Sequence, residues 1–370
     1  WEHYTLTQSP IENALELVKR LPNGASLHLV THSRGGLVGE LLSLVQRDNV
    51  TDPLKSDMLK SLFAADDSVA EQLGLGLLDT KAAKERDGAY DADRKRLAEL
   101  LKLLDQKRFT INRFVRVACP ARGTTLASGR LDRWFSVLDF FSGRGGFGDL
   151  VDVLLAVVKE RTDPRTLPGL EAMMPGSALT RLLHLPDLQT SADLTVISGD
   201  IEGESVWGHI KLLALDWFYG ADHDLIVNTG SMYGGLRRPD KGARFLRDEG
   251  ADVYHFNYFN NDKSIRWLVE GLSRADGSDG GFKPIEEAKE EEPKSREAMR
   301  RSRAKTTPQP LAVVVPGTMG SVLKVNGKKV WVDYRQLLRG GLKRLQIGAE
   351  GVDEPTAVLD DCYGPLLEFL

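Results

Sequence analysis

Cysteine is nearly absent: Cys119 and Cys362 are the only two in 370 residues. That excludes a disulfide framework and a cysteine-built zinc site, and it fits a reducing compartment. Long apolar runs are missing too. No stretch of 18 apolar residues occurs, so no transmembrane helix is expected, and the expected location is cytoplasmic. No signal-peptide pattern opens the chain. It begins at Trp1 and stops inside a helical pattern, YGPLLEFL, as a piece of a longer multidomain protein would. Charge of one sign is not in excess. The net charge is −4 with both signs interspersed, so no nucleic-acid partner is expected. There is no G-K-[ST], no H-E-x-x-H and no paired His/Cys spacing, and neither a metal nor a cofactor is expected. One G-x-G-x-x-G, Gly143, Gly145 and Gly148, follows an aromatic run and not a strand, which argues against a dinucleotide site.

What is present is an ordinary globular composition, 41% hydrophobic and 28% charged. Residues 9–21 read as a helix, with Ser9 as cap, Pro10 in the first turn and Glu12 completing a capping box. Ile11, Ala14, Leu15 and Val18 form its apolar face. SLHLVT (26–31) reads as a buried strand and 34–46 as the next helix. Residues 50–108 are highly charged and helical. Further strands are expected at FVRVACPARGTT (114–125, a strand with a loop after it), DLTVISGD (193–200) and ADVYHFNYF (251–259, a fourth strand or its end), with a helical stretch at 131–184 and a helix at 263–273. DLIVNTGSM (224–232) reads as a short extended segment. Residues 274–310 are polar and charged and read as a flexible linker. Structure resumes at LAVVVP, followed by a hairpin about Asn326-Gly327. Strands alternating with helices give an α/β class, a mostly parallel sheet covered on both faces. The helical insertions 50–110 and 131–190 would lie above the strand ends. In the second, Trp134, Phe135, Phe140, Phe141 and Phe147 read as core or as an apolar lid.

Ser33 stands out. Thr31-His32-Ser33-Arg34-Gly35 follows an apolar strand and opens a helix, close to G-x-S-x-G with threonine for the first glycine. Small residues let a strand turn sharply and expose a nucleophilic hydroxyl, and the helix start supplies N–H donors. The Arg34 amide is one natural oxyanion donor. With the order serine, acid, histidine, His255 is the base expected from its place at a strand end. His32 reads as a packing residue. Asp224 is the preferred acid, with Asp222 and Asp200 as alternatives, since it precedes a small-residue loop after the third strand.

Together HLVTHSRGGLVGE, FVRVACPARGTTLAS, MMPGSALTRLL, DHDLIVNTGSMYG and HFNYF resemble the α/β-hydrolase superfamily. The nearest likeness is to its lipase and lecithin:cholesterol acyltransferase-like branch, and to bacterial hydrolase domains of multidomain proteins. VVVPGTMGSVL resembles that branch's oxyanion strand and loop. The resemblance implies a Ser33–Asp224–His255 triad and a second oxyanion N–H from Thr318 or Met319. It implies a serine hydrolase, esterase- or lipase-like, acting on a small-molecule or lipid acyl substrate. Acyltransferase and amidase chemistry use the same triad, and a degenerate domain serving as an interaction module is the alternative from another class. Order along the chain departs from the family: the oxyanion strand follows the nucleophile. Either 311–370 docks back beside 26–31, as in a circular permutant, or it starts a second copy.

Overall fold

Ser9 starts the first helix, α1 (Pro10–Arg20): its hydroxyl accepts the Glu12 amide, and Pro10 occupies the first turn. Ile11, Ala14, Leu15 and Val18 are buried. The computed structural model describes residues 7–48, 56–64, 78–124, 166–201, most of 227–285, 311–317 and short stretches between 321 and 366.

Six strands form the main sheet: β1 (Ser26–His32), β2 (Thr110–Val117), β3 (Leu194–Ile201), β4 (Ala243–Gly250), β5 (Lys283–Pro284) and β6 (Leu311–Val315). Their order is β5-β4-β3-β2-β1-β6, parallel throughout except for the antiparallel β4–β5 pair. This is the expected α/β architecture. Helices α2 (Gly35–Ser43), α3 (Ser56–Leu62) and α4 (Thr80–Lys107) follow β1. Asp79 caps α4 by accepting two amides, and Arg108 closes it in the left-handed conformation. Leu97, Leu100 and Leu104 of α4 are fully buried, and α4 packs on α1. Short helices α5 (Pro168–Glu171), α6 (Ala178–Leu183) and α7 (Thr229–Met232) lie between β2 and β4, and α8 (Asp262–Ser273) follows β4. Parallel strands are covered on both faces, which is why Leu27, Leu29, Val30, Val115 and Val117 read as near-continuous apolar runs.

Three expectations need correction. The fourth strand is ARFLRDEG, 243–250, and the described residues of 251–259 lie in the turn after it. Its charges hid it from pattern reading, because they are paired inside the fold. Arg244 meets Asp193 at 3.0 Å and Asp279 at 3.1 Å, and buried Asp248 accepts from the Ser264 hydroxyl at 2.7 Å. The described end of 224–232 is the helical turn α7. The linker does not begin at 274. Residues 274–285 belong to the body: Phe282 is buried, Asp276 meets Arg113 at 2.5 Å, and β5 pairs with β4. Residues 286–310 lie outside the described residues, as does the aromatic segment from Trp134 to Phe147.

Beyond that interval the chain returns to the opposite edge. β6 runs parallel to β1 in the register Leu27↔Leu311 to Thr31↔Val315. The hairpin about Asn326 pairs Lys324–Val325 with Lys328–Lys329. Among the described residues no helix is long and apolar enough to cross a membrane.

Candidate active site

β1 delivers Ser33 to the carboxyl end of the sheet, where a parallel α/β sheet ordinarily holds its ligand. Ser33 has φ 52°, in the left-handed region. For a residue with a Cβ this costs of order 1 kcal/mol or more, and it persists only where the surroundings impose it. Arg108, Ala118 and Asn326 share the conformation, at a helix end, just past β2 and in a hairpin turn. At Ser33 the cause is the change from strand to helix within two residues. The Ser33 amide donates to Val117 O, and Gly36 N donates back to Ser33 O.

The two glycines are required by contact. A Cβ on Gly35 would stand 2.6 Å from Val315 O and 2.7 Å from Pro316 O. A Cβ on Gly36 would stand 2.4 Å from Cys119 Sγ. Thr31, in place of the motif's first glycine, is fully buried, its methyl turned toward Gly39 and its hydroxyl without a hydrogen-bond partner. The Arg34 side chain does not face the site. Its buried guanidinium donates to Asn13 Oδ1, Gln8 O and Gly169 O, tying the turn to α1 and α5. Burial pulls its pKa down to about 9, so it remains a cation at neutral pH.

His255 lies on the turn after β4, 3% exposed. This turn is held over the strand ends by its own rings. Tyr258 packs on Gly199 at the end of β3, and Phe259 packs edge-on against His32 at 5.2 Å. The His255 ring lies 4.8 Å from the His32 ring, immediately beside Ser33. Among the described residues, Ser33 Oγ makes no hydrogen bond to the His255 ring. Gly317, just past β6, closes the other side: a Cβ there would stand 2.9 Å from Ser33 Cβ.

Between these segments runs a hydrogen-bonded line. Gly317 N donates to Tyr363 Oη at 2.9 Å, Tyr363 Oη meets His32 Nδ1 at 3.0 Å, and His32 Nε2 meets His255 O at 2.8 Å. Burial, reinforced by the neighbouring His255, holds the His32 pKa well below its ordinary value, so the ring is neutral. Its role in this line, and that of Tyr363, escaped the sequence reading. A tyrosine in DCYGPLL carries no motif that would mark it.

A second network holds the chain after the acid segment. Glu40, fully buried on α2, meets Arg116, pairs with Arg238 at 3.2 Å and accepts from Leu236 N. Arg116 also donates to Met232 O and Gly234 O. Thr229 Oγ1 donates to Gly199 O. The region that follows residues 222–224 is thereby anchored at the ends of β2 and β3.

The structure thus brings Ser33, Arg34, His255 and Gly317 together. Asp224, Asp222, Thr318 and Met319 lie outside the described residues. Asp200 is on β3 opposite Glu249, and its side chain is not described. His184 is structural, accepting from Gly235 N through Nε2 while Nδ1 meets Thr180 O. Cys119 is buried, and burial pushes its thiol up to about 12, which leaves it inert. Among the described residues no group of three His, Cys, Asp or Glu side chains could hold a metal.

Residues 1–59 and 94–273, well over half of the chain, match the model of one family, described as a domain of unknown function, DUF7379. The chain belongs to the DUF7379 family. The DUF7379 match contains Ser33, Asp224 and His255, and it ends before β6, Gly317 and Tyr363. No curated protein and no solved structure matches the chain.

Proposed function

We propose that this chain is a serine hydrolase that cleaves carboxylic esters, esterase- or lipase-like, through Ser33. The observation that carries the reading is Ser33 at φ 52° on a strand-to-helix turn, with a buried histidine segment on one side and the Gly317 backbone on the other. At Ser33 this backbone presents a hydroxyl at the carboxyl end of the sheet, beside the start of a helix, which supports its use as a nucleophile.

In this mechanism His255 accepts the Ser33 proton as Oγ attacks the acyl carbonyl. The Arg34 amide, at the start of α2, is one donor to the developing oxyanion. Gly317 N is engaged by Tyr363, so the second donor falls to a residue beyond it, Thr318 or Met319. Asp224 orients His255. The imidazolium then protonates the leaving alcohol, and water releases the acyl group. The Ser33–His255 hydrogen bond is formed on substrate binding, as catalytic contacts commonly tighten in the Michaelis complex.

A fluorophosphonate probe tests this. Wild type is expected to label at Ser33, identified by mass spectrometry of the modified peptide, and Ser33→Ala to remain unlabelled. A folded wild type that does not label, or a label that survives Ser33→Ala, overturns the assignment.

A further inference from the structure

We propose that Tyr363 is a positioning residue for the Ser33 site, its hydroxyl coupling the Gly317 backbone to His32 and through His32 to His255. The proposal rests on the hydrolase reading given above. Proton directions along the line follow from the partners. His255 O only accepts, so His32 Nε2 carries the hydrogen. A neutral imidazole has one N–H, so His32 Nδ1 is the acceptor, and Tyr363 Oη donates to it. Tyr363 Oη in turn accepts the Gly317 N–H. All three bonds point the same way, from Gly317 to His255. Such a chain polarises itself, each donor strengthening the next.

The line joins four positions that the sequence keeps far apart: 32, 255, 317 and 363. It is closed to water, with His32, His255 and Tyr363 all buried. Stacking supports the hydroxyl's position: the Tyr363 ring lies 5.2 Å from Phe259 and 5.9 Å from His32. A structural tyrosine needs only its ring for this. The hydroxyl has a separate task, because both groups it joins flank the reacting centre. Gly317 begins the oxyanion segment and touches Ser33, and His255 is the base. His32 is thus the coupling between the two halves of the site, where the sequence suggested packing alone.

The test is fluorophosphonate inactivation of the full chain, separating the chemical rate constant from the binding constant, with thermal midpoints measured alongside. Tyr363→Phe keeps the ring and removes the hydroxyl. It is expected to lower the chemical rate constant about tenfold, to leave the binding constant within about twofold, and to shift the midpoint little. His32→Leu should do the same or more. His32→Gln presents an amide donor and acceptor at similar spacing, and it should recover most of the rate that His32→Leu loses. A Tyr363→Phe chain that is folded and inactivated at the wild-type rate overturns the proposal. Should Tyr363→Phe not fold, the His32 pair decides: equal rates for the leucine and glutamine variants overturn it as well. Wild type that fails to label Ser33 overturns the hydrolase reading and the positioning role with it. Wild type that labels beside an unaffected Tyr363→Phe overturns the positioning role alone.

Discussion

Strand β1 has two unlike flanks. On the β2 side, α2 meets side chains: Gly36 fits under Cys119, and Glu40 joins Arg116 in a fully buried ion pair. On the β6 side it meets main chain: Gly35 lies against the carbonyls of Val315 and Pro316, and Gly317 against Ser33. The first flank lies within the DUF7379 match and the second outside it. Under the proposed function this difference is a division of labour: the β2 side builds the turn that strains Ser33, and the β6 side supplies the backbone that a reacting acyl group would face. A change on the first flank should therefore cost stability, and a change on the second should cost reactivity.

The largest expected effect is on the β2 flank. Glu40→Gln leaves Arg116 and Arg238 without their buried carboxylate and should destabilise the fold by about 3–5 kcal/mol in urea denaturation. Next, Gly36→Ala and Gly35→Ala each force a Cβ into occupied space, at about 1–3 kcal/mol. They should separate in labelling. Gly35→Ala pushes β6 and should slow fluorophosphonate labelling of Ser33 beyond what its stability loss explains; equal slowing by both would erase the distinction.

A scan of thermal midpoint against pH sharpens it further. Burial raises Glu171 to about 7 from an ordinary 4.5, where it accepts from Tyr90 on α4. A raised carboxyl stabilises the fold fully below 4.5, and that contribution is lost as the pH rises through about 7. His32 is lowered from 6.5, so its contribution is complete above 6.5 and declines as the pH falls below it. Glu171→Gln should flatten the decline as the pH rises from 4.5 through about 7, and His32→Gln the decline as it falls below 6.5, each by a few degrees. The smallest effect is expected at Asp276. Its carboxylate pairs with Arg113 but is 95% exposed, so Asp276→Ala should cost less than about 1 kcal/mol.

Much of this was legible. The apolar run before Ser33, the glycines after it and the cap at Ser9 act locally, and local signals survive in a sequence. β4 was hidden because Arg244 is paired with Asp193 and Asp279, and Asp248 with Lys263, so their charge looked like solvent exposure. Residues 274–285 were hidden for the same reason: Asp276 and Asp279 look like linker charges until Arg113 and Arg244 stand opposite them. His32 and Tyr363 could not be joined from sequence at all, since nothing along the chain marks a hydrogen bond between residues 331 positions apart.

The two ends of the interval 286–310 emerge on opposite edges of the sheet, after β5 and before β6. Five strand spacings separate those edges, about 24 Å. Fully extended, the interval would reach about 80 Å, at roughly 3.3 Å per residue. Length alone therefore does not fix where β6 docks. What seats β6 is the main-chain ladder with β1. β6 is thus held as a partner strand rather than as the next link of the chain, and scission within 286–310 is expected to leave Gly317 against Ser33.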